Sequence, residues 1–142
     1  MKRKGSAVWQ GDLRTGKGTV STESGALKEM QYAFSTRFES GVGTNPEELI
    51  GAAHAGCFSM SLSVKLAEAG LKADRIDTTA TVTLDKTEAG FSITAVHLDV
   101  AADVPGADAA RFEAAARSAK ETCIVSRLLR ADITMTATLR SS

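Results

Sequence analysis

Cysteine is scarce in this chain of 142 residues: there are two, Cys57 and Cys123, far apart in sequence. That spacing excludes a CxxC redox motif and a zinc-finger ligand set written along the chain. An excess of one charge is also missing. Seventeen basic and seventeen acidic residues give a formal net charge of zero, with no sustained block of either sign, so no field is available to recruit nucleic acid or anionic lipid. Charge is absent altogether between Leu49 and Val64. That run falls short of the roughly 20 apolar residues of a bilayer span and contains His54, Ser59, Ser61, Ser63 and two glycines, so a core helix is the expectation rather than a membrane segment. Met1–Lys4 is basic, but Gly-Ser-Ala-Val-Trp-Gln-Gly-Asp follows it without the apolar core of a signal peptide. A cytoplasmic protein with reduced thiols is expected.

What is present fits one ordinary domain, large enough to bury most of the surface its unfolded form exposes without a metal or disulfide staple. Its centre is a helix expected over residues 45–69. Asn45 is a good N-cap, Pro46 suits the first helical position, and Glu47 and Glu48 favour the positive end of the macrodipole. Ala69-Gly70 is a C-terminal stop signal. Apolar or small residues occupy every side of the wheel, which predicts burial all round. Gly51, Ala52, Ala53, Ala55, Gly56, Ser59 and Ser63 further predict a second helix pressed closely against this one.

Around that helix the chain reads as α+β. Residues 5–36 predict a meander of three short strands at Ala7–Trp9, Gly16–Thr22 and Tyr32–Thr36, joined by glycine turns. Residues 75–104 predict an antiparallel hairpin. Ile76, Ala80, Val82 and Leu84 share one parity in its first strand, while Phe91 and Ile93 change phase to Val96, Leu98, Val100 and Ala102 in its second, which places a bulge near Ala95. Residues 108–139 predict an amphipathic helix with Phe112, Ala115, Ala116 and Ala119 on one face, a short helical turn after Thr122 or Cys123, and a last strand from Asp132 to Leu139.

Cys57 lies in the middle of the central helix, where a free cysteine is either a small buried hydrophobe or a reactive thiol. Reactivity needs something to offset desolvation of the thiolate. Arg37, set among aromatics in Phe34-Ser-Thr-Arg-Phe-Glu39, is the candidate cation, against the plainer reading of a surface arginine at a strand end. Glu48 suits a capping box. Glu47 is freer but stands ten residues from Cys57, about 15 Å along a straight helix. Glu47 therefore reaches Cys57 only across an antiparallel pair of these helices from two subunits, which the small residues also permit. A metal site is the rival: His54 and Cys57 stand three apart on one helix, with Cys123 and His97 available to complete the set. A non-enzymatic redox sensor or small-ligand carrier using the same thiol is another.

Asn45-Pro-Glu-Glu-Leu-Ile-Gly-Ala-Ala-His-Ala-Gly-Cys-Phe-Ser-Met60, preceded by Gly16-Lys-Gly-Thr-Val-Ser-Thr-Glu-Ser-Gly25 and followed by Cys123-Ile-Val-Ser126, resembles the OsmC/Ohr family, specifically its OsmC branch. The resemblance spans essentially the whole chain. It implies an intertwined α+β homodimer of antiparallel sheets about a long buried helix. It also implies a cysteine peroxidase acting on organic hydroperoxides and, less efficiently, hydrogen peroxide, without a cofactor. By the same resemblance Cys57 is the peroxidatic cysteine and Cys123 the resolving one. Arg37 and Glu47 are the pair that poises the thiolate, with Arg14 and Arg127 as competing arginines, and an external dithiol, such as a lipoyl-bearing protein, is the reductant. Ile124 follows Cys123 where many relatives carry proline. Phe34, Phe38 and Phe58 are expected at the mouth of a site for a greasy hydroperoxide.

Overall fold

The computed structural model describes all 142 residues, which form two compact units, residues 1–49 and 50–142.

In the first unit β1 (Gly5–Gln10), β2 (Lys17–Thr22) and β3 (Met30–Tyr32) form an antiparallel sheet in the order β1-β2-β3. The third strand is shorter and earlier than the alternation of residues 32–36 suggests, because Phe34–Phe38 is a single helical turn, α1. Thr36 explains the switch: its buried hydroxyl accepts from the Ala33 N–H at 2.9 Å and donates to the Ala33 carbonyl at 3.0 Å, closing the turn locally. Gly43 then lets the chain pass beside β3, with a φ of +146° and room for no side chain: an added Cβ would meet Gln31 O at 2.9 Å and Thr36 Cγ2 at 2.8 Å.

The long helix, α2, runs Pro46–Glu68. Asn45 Oδ1 accepts from the Glu48 N–H at 2.8 Å, as an N-cap does. Gly70, at φ +73°, ends the helix, with Gly70 N–H bonded to Ala67 O and Leu71 N–H to Leu66 O, the paired closure of a Schellman motif. At 23 residues α2 is long and apolar enough by composition to cross a bilayer, so the shortness of its uncharged run does not by itself exclude a span. Its burial has a different form. Gly51, His54, Phe58, Leu62 and Leu66 make one buried stripe at helical spacing, while Ala52, Ala53, Gly56, Met60, Ser63 and Val64 are exposed. The expectation of burial all round fails for the single chain because only one side of the helix meets a sheet and a second helix.

The second unit places that stripe against β4 (Arg75–Thr87), β5 (Gly90–Asp103) and β6 (Asp132–Ser141), with α3 (Ala109–Thr122) and α4 (Ile124–Leu128) in the crossover. Strands β4 and β5 form the expected hairpin. Thr83 pairs with Ala95 but Leu84 with Ile93, so Thr94 is the extra residue of the bulge; its insertion keeps Val82, Leu84, Ile93 and Val96 in step. Strand β6 pairs with β5 in parallel, which corrects the expectation of antiparallel sheets throughout. The intervening helices return the chain to the end where β5 began, and a strand entered after such a crossover runs parallel.

Phe58, Leu62 and Leu66 of α2 pack with Leu98, Val100 and Ala102 of β5 and Phe112, Ala116 and Ala119 of α3. Each large side chain so buried contributes about 1.5–3 kcal/mol. Phe58 is fully buried in this core and so lines no mouth. Gly51 lets α2 approach the sheet, since a Cβ there would stand 3.0 Å from Ala80 O. The close neighbour of Gly51 is thus a strand rather than a helix. Helix α3 meets α2 farther along, where the Ser61 hydroxyl donates to Ala119 O at 3.4 Å.

Candidate active site

Two pairs of the expected residues come together, one in each unit. Cys57, on the fourth turn of α2, and Cys123, at the N-terminal end of α4, are both free thiols. The Cys123 Sγ donates to Cys57 Sγ across 3.1 Å. Cys123 is buried and Cys57 partly open. Burial pushes the Cys57 thiol up, but the hydrogen bond from Cys123 and the backbone N–H groups of Val125 and Ile124 outweigh it, and its pKa lies below the ordinary 9.0. Burial moves Cys123 the other way. Its pKa is raised, because desolvation and the bond to Cys57 outweigh the backbone and hydroxyl of Ser126 and the backbone of Val125. The asymmetry is chemically useful: Cys57 is the better thiolate, and the second sulfur waits beside it.

Ser126, three residues beyond Cys123, links this pair to His54. The Ser126 hydroxyl lies 2.7 Å from His54 Nε2. His54 is fully buried and burial holds its pKa below the usual histidine value, while its Nδ1 has no hydrogen-bond partner.

In the first unit the Arg37 Nε and Nη2 donate to the same Glu47 oxygen, Oε1, at 3.0 and 2.9 Å. The fork therefore closes on one oxygen rather than two, leaving the buried Glu47 Oε2 without a partner. Arg37 also stacks on Phe38, 5.3 Å from the ring centroid. It sits in α1 rather than at a strand end. Arg14 is occupied over the Phe34 ring at 5.1 Å, and Arg127 is exposed on α4.

Beside Arg37 an apolar pocket of about 280 Å³ is lined by Trp9, Leu13, Tyr32, Ala33, Phe34 and Phe38. Trp9 and Tyr32 pack with ring centroids 5.4 Å apart. Gly18 makes room for both, since a Cβ there would stand 2.6 Å from the Tyr32 ring and 2.8 Å from that of Trp9.

The OsmC-like protein family matches residues 39–138. Peroxiredoxin OsmC of Escherichia coli is 56% identical over 139 residues, covering 98% of this chain and 97% of that protein. The chain belongs to the OsmC-like protein family. The organic hydroperoxide resistance protein of Xanthomonas axonopodis pv. citri is 34% identical over 100 residues, covering 70% of this chain and 68% of that one. The fold agrees with the crystal structure of the organic hydroperoxide resistance protein OhrB of Bacillus subtilis: the TM-score is 0.71 at 24% identity, over 96% of this chain and 98% of the other.

The metal set considered from this OsmC-like sequence is not assembled. His97 bonds Thr134 Oγ1 at 2.5 Å and Thr136 Oγ1 at 3.1 Å, while His54 faces Ser126, and no group of three or more His, Cys, Asp or Glu side chains is arranged to share an ion. Sequence reading missed Ser126, the N–H groups of α4 and the Trp9–Tyr32 wall. A hydroxyl three residues after Cys123, one helical turn on, was the available signal for the first; the wall depends on strand register.

Proposed function

We propose that this chain is a thiol peroxidase that reduces organic hydroperoxides, and hydrogen peroxide less efficiently, through Cys57 and Cys123, and is recycled by an external dithiol. The observation that carries the reading is the 3.1 Å separation of two free sulfurs whose pKa values are pushed in opposite directions. The names of the relatives, a peroxiredoxin and an organic hydroperoxide resistance protein, agree with it.

The Cys57 thiolate attacks the terminal oxygen of the hydroperoxide. An S–O bond forms, the O–O bond breaks, and the alkoxide leaves with a proton as the alcohol, so Cys57 becomes a sulfenic acid. Cys123 then attacks the Cys57 sulfur. The S–S bond forms as hydroxide departs and is protonated to water, and exchange with a dithiol restores both thiols. The contact within one chain supports an intramolecular disulfide.

Arg37, anchored by Glu47, is the cation in this reading, stabilising the thiolate and the developing charge on the peroxide. The exposed Ala52, Ala53, Gly56, Met60 and Val64 face of α2 supports a homodimer of antiparallel helices, which gives Glu47 and Arg37 of one subunit access to Cys57 of the other. The alkyl part of the substrate occupies the aromatic pocket beside Arg37. Recycling by dithiol suits a reducing cytoplasm.

Steady-state consumption of an alkyl hydroperoxide with excess dithiol, beside hydrogen peroxide, tests the proposal. Continuous turnover favouring the alkyl substrate is expected. Consumption that stops after one equivalent per Cys57 would make the protein a sensor.

A further inference from the structure

Two hydrogen bonds from α2 flank the sulfur pair, one on each side of it. His54, Cys57 and Ser61 follow one another along a single side of α2, at the spacing of successive helical turns. Three residues before Cys57, His54 Nε2 lies 2.7 Å from the Ser126 hydroxyl of α4. Four residues after it, the Ser61 hydroxyl donates to the Ala119 carbonyl at 3.4 Å, and the Cys123 N–H donates to that same carbonyl at 2.9 Å. Cys123 stands between these anchors at a joint, because its ψ of 129° is not helical and α3 ends where α4 begins. Beyond the joint the Arg127 N–H bonds the Cys123 carbonyl at 3.1 Å. A hold on Ser126 is therefore a hold on the turn that starts at Cys123.

We infer that His54 and Ser126 are positioning residues of the resolving step: with Ser61 on the other side, they clamp the α3–α4 joint onto α2 and keep Cys123 within reach of Cys57 before peroxide arrives. The consequence is protection from over-oxidation. A sulfenic acid at Cys57 has two fates. In one, Cys123 attacks the sulfur, the S–S bond forms, the S–O bond breaks and water leaves. In the other, the sulfenic sulfur attacks a second hydroperoxide, takes its terminal oxygen and releases the alcohol, leaving a sulfinic acid that a dithiol does not reduce. The second fate grows with peroxide concentration, whereas the first depends on how often Cys123 is in reach. Holding it there in advance favours closure.

Burial favours a directional hold of this kind. His54 is fully buried and Ser126 nearly so, yet His54 Nδ1 has no partner, and an unpaired polar atom in a core costs stability that an apolar side chain would not. Apolar packing is non-directional. The bond to Ser126 instead fixes which residue of α4 faces which residue of α2, one turn from the sulfurs.

The inference rests on the peroxidase reading for its consequence, and two measurements keep the two apart. Without peroxide, the reduction potential of the Cys57–Cys123 couple is read by thiol counting in dithiothreitol buffers, since a prepositioned pair closes its disulfide at lower cost. His54→Leu and Ser126→Ala are each expected to lower the effective concentration of Cys123 about three- to tenfold, the range of one lost hydrogen bond, which moves the potential about 15–30 mV less negative. His54→Leu weighs most, because His54 bonds neither sulfur. The double variant shifts no further than the larger single one, and His54→Gln and Ser126→Thr, which keep a polar atom in reach, restore the wild-type value. With peroxide, the sulfinic acid formed per turnover is counted by peptide mass spectrometry at rising tert-butyl hydroperoxide with dithiol present. It rises by the same factor, and as a ratio of two fates of one intermediate it is independent of the speed of the first oxidation. Potentials or sulfinic yields at wild-type values in both single variants, even with a lower melting temperature, overturn the clamp and leave the peroxidase reading intact. Shifts that add in the double variant overturn it as well. A wild-type protein that consumes no peroxide removes the peroxidase reading, and the potentials then decide the clamp alone. Should His54→Leu misfold, Ser126→Ala with its Ser126→Thr rescue decides.

Discussion

Cys57 Sγ and Cys123 Sγ stand 3.1 Å apart within one chain, one partly open on the long helix and the other buried at the start of a short one. A disulfide sulfur separation is about 2.05 Å, so closure asks for a movement of roughly 1 Å. No domain rearrangement is required. Cys57→Ser should abolish peroxide consumption. Cys123→Ser should keep the first oxidation and lose the internal disulfide, ending as trapped sulfenic acid. Thiol counting after one equivalent of hydroperoxide distinguishes them: both single variants begin with one thiol, and only Cys123→Ser loses it.

Ile124 has a second consequence at the same sulfur. Its N–H is one of the groups holding the Cys57 pKa down, and a proline at this position would have none. Proline suits the first position of a helix, so Ile124→Pro should leave folding intact. Losing a donor to the thiolate raises the Cys57 pKa, and less thiolate is present at neutral pH. The pH–rate profile of peroxide consumption, followed with ultraviolet thiolate absorbance, should move to higher pH. The rate at pH 7 should fall about fivefold, from roughly 1 kcal/mol per hydrogen bond. An unmoved profile would remove that N–H from the site.

Arg37 and Glu47 make a separate prediction. Arg37→Ala should slow the first oxidation about a hundredfold, the cost of removing a preorganised donor to developing charge. Arg37→Lys should recover only part of this because the ammonium lacks the fork that closes on Glu47 Oε1. Glu47→Gln keeps the shape and loses the charge, and should fall between the wild type and Arg37→Ala. Stopped-flow peroxide loss in the three variants gives the order; equal rates would place the activating cation elsewhere.

The aromatic pocket discriminates between substrates. Phe34→Ala widens the pocket and removes apolar surface beside Arg37, so KM for a bulky alkyl hydroperoxide should rise about tenfold, the worth of one or two buried methylenes. Hydrogen peroxide, which has no alkyl part, should be unaffected. Parallel changes in both substrates would mean that the pocket holds neither.

Much of this site was legible because its signals are local. The N-cap Asn45, the stop at Gly70, the parity of β4 and the bulge beside Ala95 are written within a few residues each, and Cys57 stood out in a chain with two cysteines. The parallel entry of β6 was not legible, since threonine-rich alternation from Asp132 onward is the same for either direction. Tyr32–Thr36 alternates like a strand until the Thr36 hydroxyl turns it into α1. The small residues of α2 divide between two surroundings that composition does not distinguish: Gly51 serves the sheet, while Ala52, Ala53 and Gly56 lie exposed. Burial of Phe58, and the bond between His54 and Ser126, are made by residues distant in sequence and are set by packing alone.

Peptide mapping of the protein after one equivalent of tert-butyl hydroperoxide, under denaturing and thiol-blocking conditions, tests the central claim most directly. The account predicts loss of both thiols, with a single disulfide joining the Cys57 and Cys123 peptides of the same chain and migration as a monomer without reductant. Two thiols still free after the peroxide is gone, or a Cys57 that remains reduced while Cys123 is oxidised, would contradict it.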